Sequence, residues 1–284
     1  MVFPIIPALL EFRGPDAVRF LNGQLTQDVR LVIGKKISLP SCVTDAKGKL
    51  QFRVTITENE DGALWIAGPS GSQEALEARL TRYLIADDVE VIDLSGKYIL
   101  THLIGSAHSS PVGSMARESN RYGEHGIDCW TLATSDVSFP AVSFLSKDEL
   151  ESLRIKNAVP AWGSELIEGM LPPEARLEST DISYNKGCYI GQEIISRMKS
   201  SGKVNRRLTL FSFDALTLFQ TGPLIDAKGT ACGELTSISP MIDNGVRYAL
   251  GYVKRGVDDV FYKTDDRLVK PTVIVGSIDG KPDQ

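Results

Sequence analysis

Lys186-Gly187-Cys188-Tyr189-Ile190-Gly191-Gln192-Glu193 (KGCYIGQE) lies inside the most unusual window of the chain, Asp181 to Arg207, DISYNKGCYIGQEIISRMKSSGKVNRR. From Lys186 to Arg207 there are six basic residues (Lys186, Arg197, Lys199, Lys203, Arg206, Arg207) and one acid, Glu193. Asn185-Lys186-Gly187 is turn chemistry, with Gly187 free to take a positive φ. Gln192 to Lys199 then reads as a short helix burying Ile194, Ile195 and Met198. A glycine loop opening a helix presents backbone N–H groups and the positive end of a dipole. With basic side chains around it, such an end suits a ligand carrying carboxylates. Composition alone allows simpler readings: a basic stretch is also a solvated face, a single cysteine is also a small buried apolar residue, and Glu193 is also a plain N-terminal helix acid.

Outward from this window the chain is ordinary. It has 284 residues with a formal net charge of −5, so the 262 residues outside Lys186–Arg207 carry −10. That balance argues against a body that binds nucleic acid or an anionic membrane, and direct nucleic-acid binding is not expected. No apolar run is long enough to span a membrane. The opening MVFPIIPALLEF has no basic flank and is broken by Pro4 and Pro7, unlike a signal peptide. Cys42, Cys129, Cys188 and Cys232 form no C-x-x-C pair, and His102, His108 and His125 lack the helical spacing of a metal pair. No resident metal is expected, and reduced thiols in a cytoplasmic setting are the natural reading. The sequence contains no H-E-x-x-H, G-x-S-x-G, Walker loop or G-x-G-x-x-G, which removes common hydrolase, NTPase and dehydrogenase classes.

The pattern predicts an α+β body. A helix is expected from Asp16 to about Asp28, with Ala17, Phe20, Leu21 and Leu25 on its inner face. Gln24 and Asp28 would then sit one turn apart. Lys49–Thr57 and Ala63–Ala67 read as a hairpin across Asp61-Gly62, and Ser72 as the cap of a helix reaching Leu84. Val89–Ile92 and Tyr98–Ile104 follow as strands. Ser146 with Glu149 forms a capping box for a helix to about Asn157. After Asn205 short β-rich pieces recur (LTLFSF, GELTSI, RYALGYV, PTVIVG), so residues 1–204 are expected as the α+β body and 205–284 as a small β-barrel. Only the last five or six residues read as disordered.

The octapeptide resembles, at every position, the K-G-C-[FY]-x-G-Q-E signature of the YgfZ-type folate-binding proteins, relatives of the T-protein (aminomethyltransferase) of the glycine-cleavage system. Phe20–Val29 (FLNGQLTQDV) is similar to that family's F-L-x-G-Q-L-T-x-D-V segment. Arg154-Ile155 with Pro160, Leu171–Glu174, and Gly229–Val253 resemble its central and C-terminal parts, so the resemblance covers nearly the whole chain. It implies α+β modules around a central hole with a β-barrel, and tetrahydrofolate or a one-carbon derivative as ligand. It also implies support of iron–sulfur enzymes, in cluster assembly or repair, including the radical enzymes that thiolate tRNA. Cys188 is the implied reactive group, for thiol, redox or transient metal chemistry.

A folate needs an apolar slot, a polar group at the pteridine edge and cations for its glutamate tail. Arg197, Lys199 and Lys203 are the tail candidates. Tyr189 is either an aromatic wall or a core residue, and Gln24 and Asp28 are polar candidates. Lys186, Gln192 and Glu193 complete the set. Two departures separate the chain from the transferase branch. Gly48–Arg53 lacks the acid that the T-protein carries on the matching strand, and Lys156 stands where that protein has a pteridine-contacting acid. Both point to binding rather than turnover, with a folate-dependent one-carbon transferase as the alternative.

Overall fold

The computed structural model describes residues 4–105, 111–137, 139, 144–215, 220–257, 259–263 and 268–275. The expectation of disorder at the extreme C-terminus, and His108, fall outside the described residues. The chain forms two compact units, Met1–Leu145 with Glu178–Gln192, and Ser146–Leu177 with Glu193–Gln284.

The first unit is built from β1 (Ala8–Arg13), α1 (Ala17–Gln24), β2 (Ser38–Thr44), β3 (Leu50–Glu58), β4 (Leu64–Gly68), α2 (Gln73–Thr81), β5 (Glu90–Asp93), β6 (Tyr98–Ile104), β7 (Met115–Ser119) and β8 (Gly126–Leu132). An antiparallel sheet runs in the order β2-β3-β4-β1-β5, and a second in the order β6-β8-β7. Alternation along β1 shows why both faces of the first sheet are covered. Ala8, Leu10 and Phe12 join Phe20 and Leu21 of α1 and Leu76 and Leu80 of α2 in one core cluster. Leu9 faces the other way, clustering with Trp65, Leu100 and Trp130. Each of these large side chains contributes about 1.5–3 kcal/mol by burial. Glu11, also buried, accepts hydrogen bonds from Trp65 Nε1 at 2.8 Å and Asn59 Nδ2 at 2.9 Å.

Two expectations in this unit change. Helix α1 ends at Gln24, not near Asp28, because Leu25 is extended (φ −110°, ψ 149°) and the Thr26 N–H bonds the Cys42 carbonyl. Pairing with β2 wins over another helical turn, so Gln24 and Asp28 do not share a helix face. Ser72 precedes α2, but its hydroxyl donates to the Pro69 carbonyl instead of capping, and the helix stops at Thr81.

The second unit contains α3 (Lys147–Lys156), most of α4 (Gln192–Ser201), β9 (Arg206–Asp214), β10 (Gly222–Ile225), β11 (Ala231–Ile238), β12 (Val246–Lys254), β13 (Phe261–Lys263), β14 (Leu268–Val269) and β15 (Thr272–Val275). The capping box of α3 forms as expected, with Ser146 Oγ accepting from the Glu149 N–H and Glu149 Oε2 from the Ser146 N–H. The strands make one barrel-like antiparallel sheet, order β14-β13-β10-β11-β12-β9-β15, around Phe211, Phe213, Leu224, Leu235 and Val253. Register shifts at Leu224/Ile225, Leu235/Ser237 and Val273/Val275 mark irregularities of the kind that bend strands. Buried Glu165 ties this unit's segments together. Its Oε1 accepts from Thr236 and Ser237 hydroxyls, and its Oε2 from Arg154 Nη1 and the Ala161 N–H.

Candidate functional site

In the first unit the segment Glu178–Gln192 lies against α1 and β2, and Lys186 is its anchor. The Lys186 ammonium donates to the carbonyls of Asn22 at 2.8 Å, Leu25 at 2.7 Å and Gln27 at 2.7 Å. Those carbonyls bracket the C-terminal end of α1, where backbone acceptors are left over and positive charge is favourable. Three acceptors match the three N–H bonds of a protonated amine. Burial draws its pKa down to about 7, with Asp28 opposing the shift and Arg30 adding to it. The ammonium also sits 5.3 Å from the centre of the Tyr189 ring, a cation–π contact.

The remaining signature positions have distinct local reasons. The Ile190 N–H bonds the Gly23 carbonyl, and the Ile190 carbonyl accepts from Thr44 Oγ1 at 2.6 Å. Gly187 does not use its freedom to take a positive φ, whereas Gly191 does, at +88°. A Cβ on Gly191 would stand 2.5 Å from the Asp45 carbonyl oxygen and 2.8 Å from Gly48 Cα, so only glycine fits there. Gln192 is half-buried and opens α4 through its N–H to the Tyr189 carbonyl. Between buried Lys186 and buried Tyr189, Gly187 and Cys188 are exposed. Cys42, Cys129 and Cys232 are all buried, and burial pushes each of these thiols up in pKa. The loop therefore presents one thiol to solvent on a clamped backbone.

The other expected residues divide between the units. Buried Gln24 accepts from Arg79 Nη1 at 3.0 Å, and Arg79 also donates to the Thr44 carbonyl at 2.6 Å. Asp28 caps a short 3-10 turn and is held by Arg30 at 2.9 and 2.7 Å, bonds that keep its carboxyl below the usual range. In the second unit Glu193 and Arg197 pair at 2.8 Å along exposed α4, while Lys199 and Lys203 are exposed at its end. Ile195 is the buried residue of that helix, and Ile194 and Met198 are half-buried.

Sequence reasoning missed three elements here. Asp181, fully buried, forms a two-bond pair with Arg53 at 2.7 and 3.2 Å. Its backbone carbonyl accepts from Thr26 Oγ1 at 2.7 Å. Arg79 was read only as a helix residue, although a buried arginine on an apolar helix face signals a buried acceptor. His102, read from the sequence only as unsuited to a metal pair, is buried and bonds Asp128 through Nδ1 at 2.7 Å.

For a folate, the unit offers some polar atoms and has already committed others. Among the described residues the buried Tyr189 hydroxyl has no hydrogen-bond partner, and neither has Gln24 Nε2. Asp28 is occupied by Arg30. Among the described residues no cluster of three or more histidine, cysteine or acidic side chains is placed to hold a metal. No helix there is long and apolar enough to cross a membrane.

The fold is close to that of a solved aminomethyltransferase. The chain superposes on the glycine cleavage system aminomethyltransferase T from Bartonella henselae with a TM-score of 0.75, at 17% identity, over 96% of this chain and 83% of that one. By sequence it is similar to proteins named tRNA-modifying protein YgfZ. It is 26% identical over 244 residues to that of Klebsiella pneumoniae (strain 342), covering 78% of this chain and 74% of the relative. It is 28% identical over 225 residues to that of Sodalis glossinidius (strain morsitans), covering 71% and 67%. No protein-family profile matches the chain. The likeness to YgfZ-type proteins and to the T-protein, expected from the octapeptide, is borne out.

Proposed function

We propose that the protein binds tetrahydrofolate and acts in the cytoplasm as an accessory to iron–sulfur enzymes, in the assembly or repair of their clusters, among them enzymes that modify tRNA. The observation that carries the reading is the clamped loop: Lys186, Ile190 and Gly191 fix the backbone so that Cys188 alone of the four cysteines meets solvent. The YgfZ relatives, named for tRNA modification, and the aminomethyltransferase fold support it. In this reading Gln24, Tyr189 and Gln192 of the first unit serve the pterin, and Lys186 and Asp28 hold the frame of that unit. Cys188 supplies the thiol to a client.

Isothermal titration with tetrahydrofolate is expected to give micromolar or tighter binding, and no binding at millimolar ligand overturns the proposal. A strain lacking the protein, scored for iron–sulfur enzyme activity, should be rescued by the native chain and not by Cys188→Ala. Full rescue by Cys188→Ala would remove the thiol from the mechanism. The aminomethyltransferase fold favours a second reading, one-carbon transfer to folate. Against it, the guanidinium of Arg53 stands on β3 where that chemistry would need a free carboxylate. Methyl or aminomethyl transfer to tetrahydrofolate by the purified protein would establish the second reading in place of the first.

A further inference from the structure

A buried arginine is ordinarily paired with a carboxylate. Arg79 of α2, 8% exposed, makes no ion pair among the described residues. Its acceptors are all neutral: Gln51 Oε1 takes Nε at 2.5 Å, Gln24 Oε1 takes Nη1 at 3.0 Å, and the Thr44 carbonyl takes Nη2 at 2.6 Å. Burial draws its pKa below the ordinary arginine value. A guanidinium donates and never accepts, so Arg79 decides which way both amides lie. Each glutamine turns its oxygen to Arg79 and keeps Nε2 as its free end. Neither Nε2 has an acceptor among the described residues, and neither is a buried unpaired atom, so both reach solvent. Gln24, only 6% exposed, therefore shows solvent a donor.

The backbone brings these groups to the signature loop. In the ladder of β2 and β3, Val43 pairs with Phe52 and Thr44 with Leu50, which leaves Gln51 as the extra residue of a bulge. Bulges re-aim a side chain and recur beside functional sites. Gln24 ends α1, and the carbonyl of Gly23 before it holds the Ile190 N–H. Thr44, whose carbonyl takes Arg79, gives its hydroxyl to the Ile190 carbonyl. Both amides are thus tied to the backbone that carries the loop presenting Cys188.

We propose that Arg79 is a positioning residue that leaves Gln24 and Gln51 able only to donate here, so that the first unit takes its ligand through a carbonyl oxygen. The inference rests on the folate reading above, and in a folate that oxygen is the one at C4 of the pterin ring. Gln24 Nε2 donates to one of its lone pairs, and Gln51 Nε2 is the donor for the other. The site then selects 4-oxo pterins over 4-amino pterins, because an amino group at C4 would set donor against donor in front of an uncompensated guanidinium.

Titration calorimetry on the whole protein compares tetrahydrofolate with its 4-amino-4-deoxy counterpart, in which an amino group replaces the C4 oxygen. The native chain should bind the 4-oxo ligand about tenfold more tightly, the cost of one mismatched hydrogen bond. Gln24→Glu keeps an oxygen on Arg79 but turns the free end from donor to acceptor, and it should reverse the preference. A loss of packing alone weakens both ligands and reverses nothing. Arg79→Met lets the amides turn and should bring the two affinities within about threefold of each other, the orienting hydrogen bonds being gone. Thermal unfolding checks both variants, and Gln24→Glu decides the matter alone if Arg79→Met does not fold. A native chain that binds the two ligands alike or favours the amino form, or an unchanged preference in Gln24→Glu, overturns the inference and leaves the folate reading standing. Absence of tetrahydrofolate binding overturns both.

Discussion

Each unit uses a buried charge to fasten a loop, and the two do it differently. In the second unit the Glu165 carboxylate is satisfied mainly by side chains, Arg154, Thr236 and Ser237, with one backbone N–H from Ala161. In the first, the Lys186 ammonium is satisfied only by backbone carbonyls. The side-chain arrangement needs four residues chosen together, and it fixes a framework with no reactive group of its own. The backbone arrangement needs only the lysine and a helix that ends in the right place, so the residues next to it are left free for other work. Cys188 occupies that freedom.

The contrast can be broken at either end. Glu165→Ala removes one of the two carboxylates on buried Arg154, which keeps Glu151, and leaves the Thr236 and Ser237 hydroxyls and the Ala161 N–H without that acceptor, and should lower stability by about 4 kcal/mol in chemical denaturation. Lys186→Met should lower it by about 3 kcal/mol, since the freed backbone carbonyls are partly rescued by water. If Lys186→Met proves as harmless as a surface change, the lysine is no anchor. Gly191→Ala should cost about 2 kcal/mol, from left-handed backbone and the close Asp45 carbonyl, and should alter the alkylation rate of Cys188 in the folded protein.

Acid tests another buried charge, in the first unit. Burial alone would raise the Asp128 carboxyl, but the Arg121 charge and hydrogen bonds from His102 and Arg121 outweigh it and hold the group well below the usual range. A carboxyl depressed by folding stabilises the protein above its unfolded pKa of about 4 and loses that contribution as pH falls towards the folded value. The stability gap between the native chain and Asp128→Asn should therefore be full at pH 7 and narrow steadily below about pH 4. A gap independent of pH would mean that Asp128 is not ionised in the folded state. The smallest effect belongs to Cys188→Ser, within about 0.5 kcal/mol of the native chain because the side chain is exposed. A large loss there would make Cys188 structural.

Much of this was legible in the sequence, for reasons that differ by residue. The hairpin of β3 and β4 follows from alternation and a turn dipeptide, and the α3 capping box from four adjacent residues. Local signals of that kind survive folding because nothing distant competes with them. The end of α1 was misread because its competitor is distant: Thr26 prefers the Cys42 carbonyl, and apolar periodicity through Leu25 carries no trace of that. Gly187 and Gly191 are equally plausible turn glycines in sequence, and only the approach of Asp45 and Gly48 separates them. The Arg53–Asp181 pair joins residues 128 apart, and no pattern in one sequence connects an arginine on a strand to an acid so far away. Within the octapeptide, residue types pointed to an anion and a thiol, whereas the use of Lys186 as a backbone anchor came only from the fold.

The order in which the chain is made gives Lys186 one more consequence. Its partners Asn22, Leu25 and Gln27 precede it by 164, 161 and 159 residues, with part of the second unit in between. During synthesis α1 and the hairpin of β2 and β3 emerge long before the segment that covers them. The carbonyls at the end of α1 stay hydrated until Glu178–Gln192 has left the ribosome. Contacts this remote close slowly. The thiol of Cys188 is thus set in place among the last steps of the first unit's folding, after the chain has already begun the second.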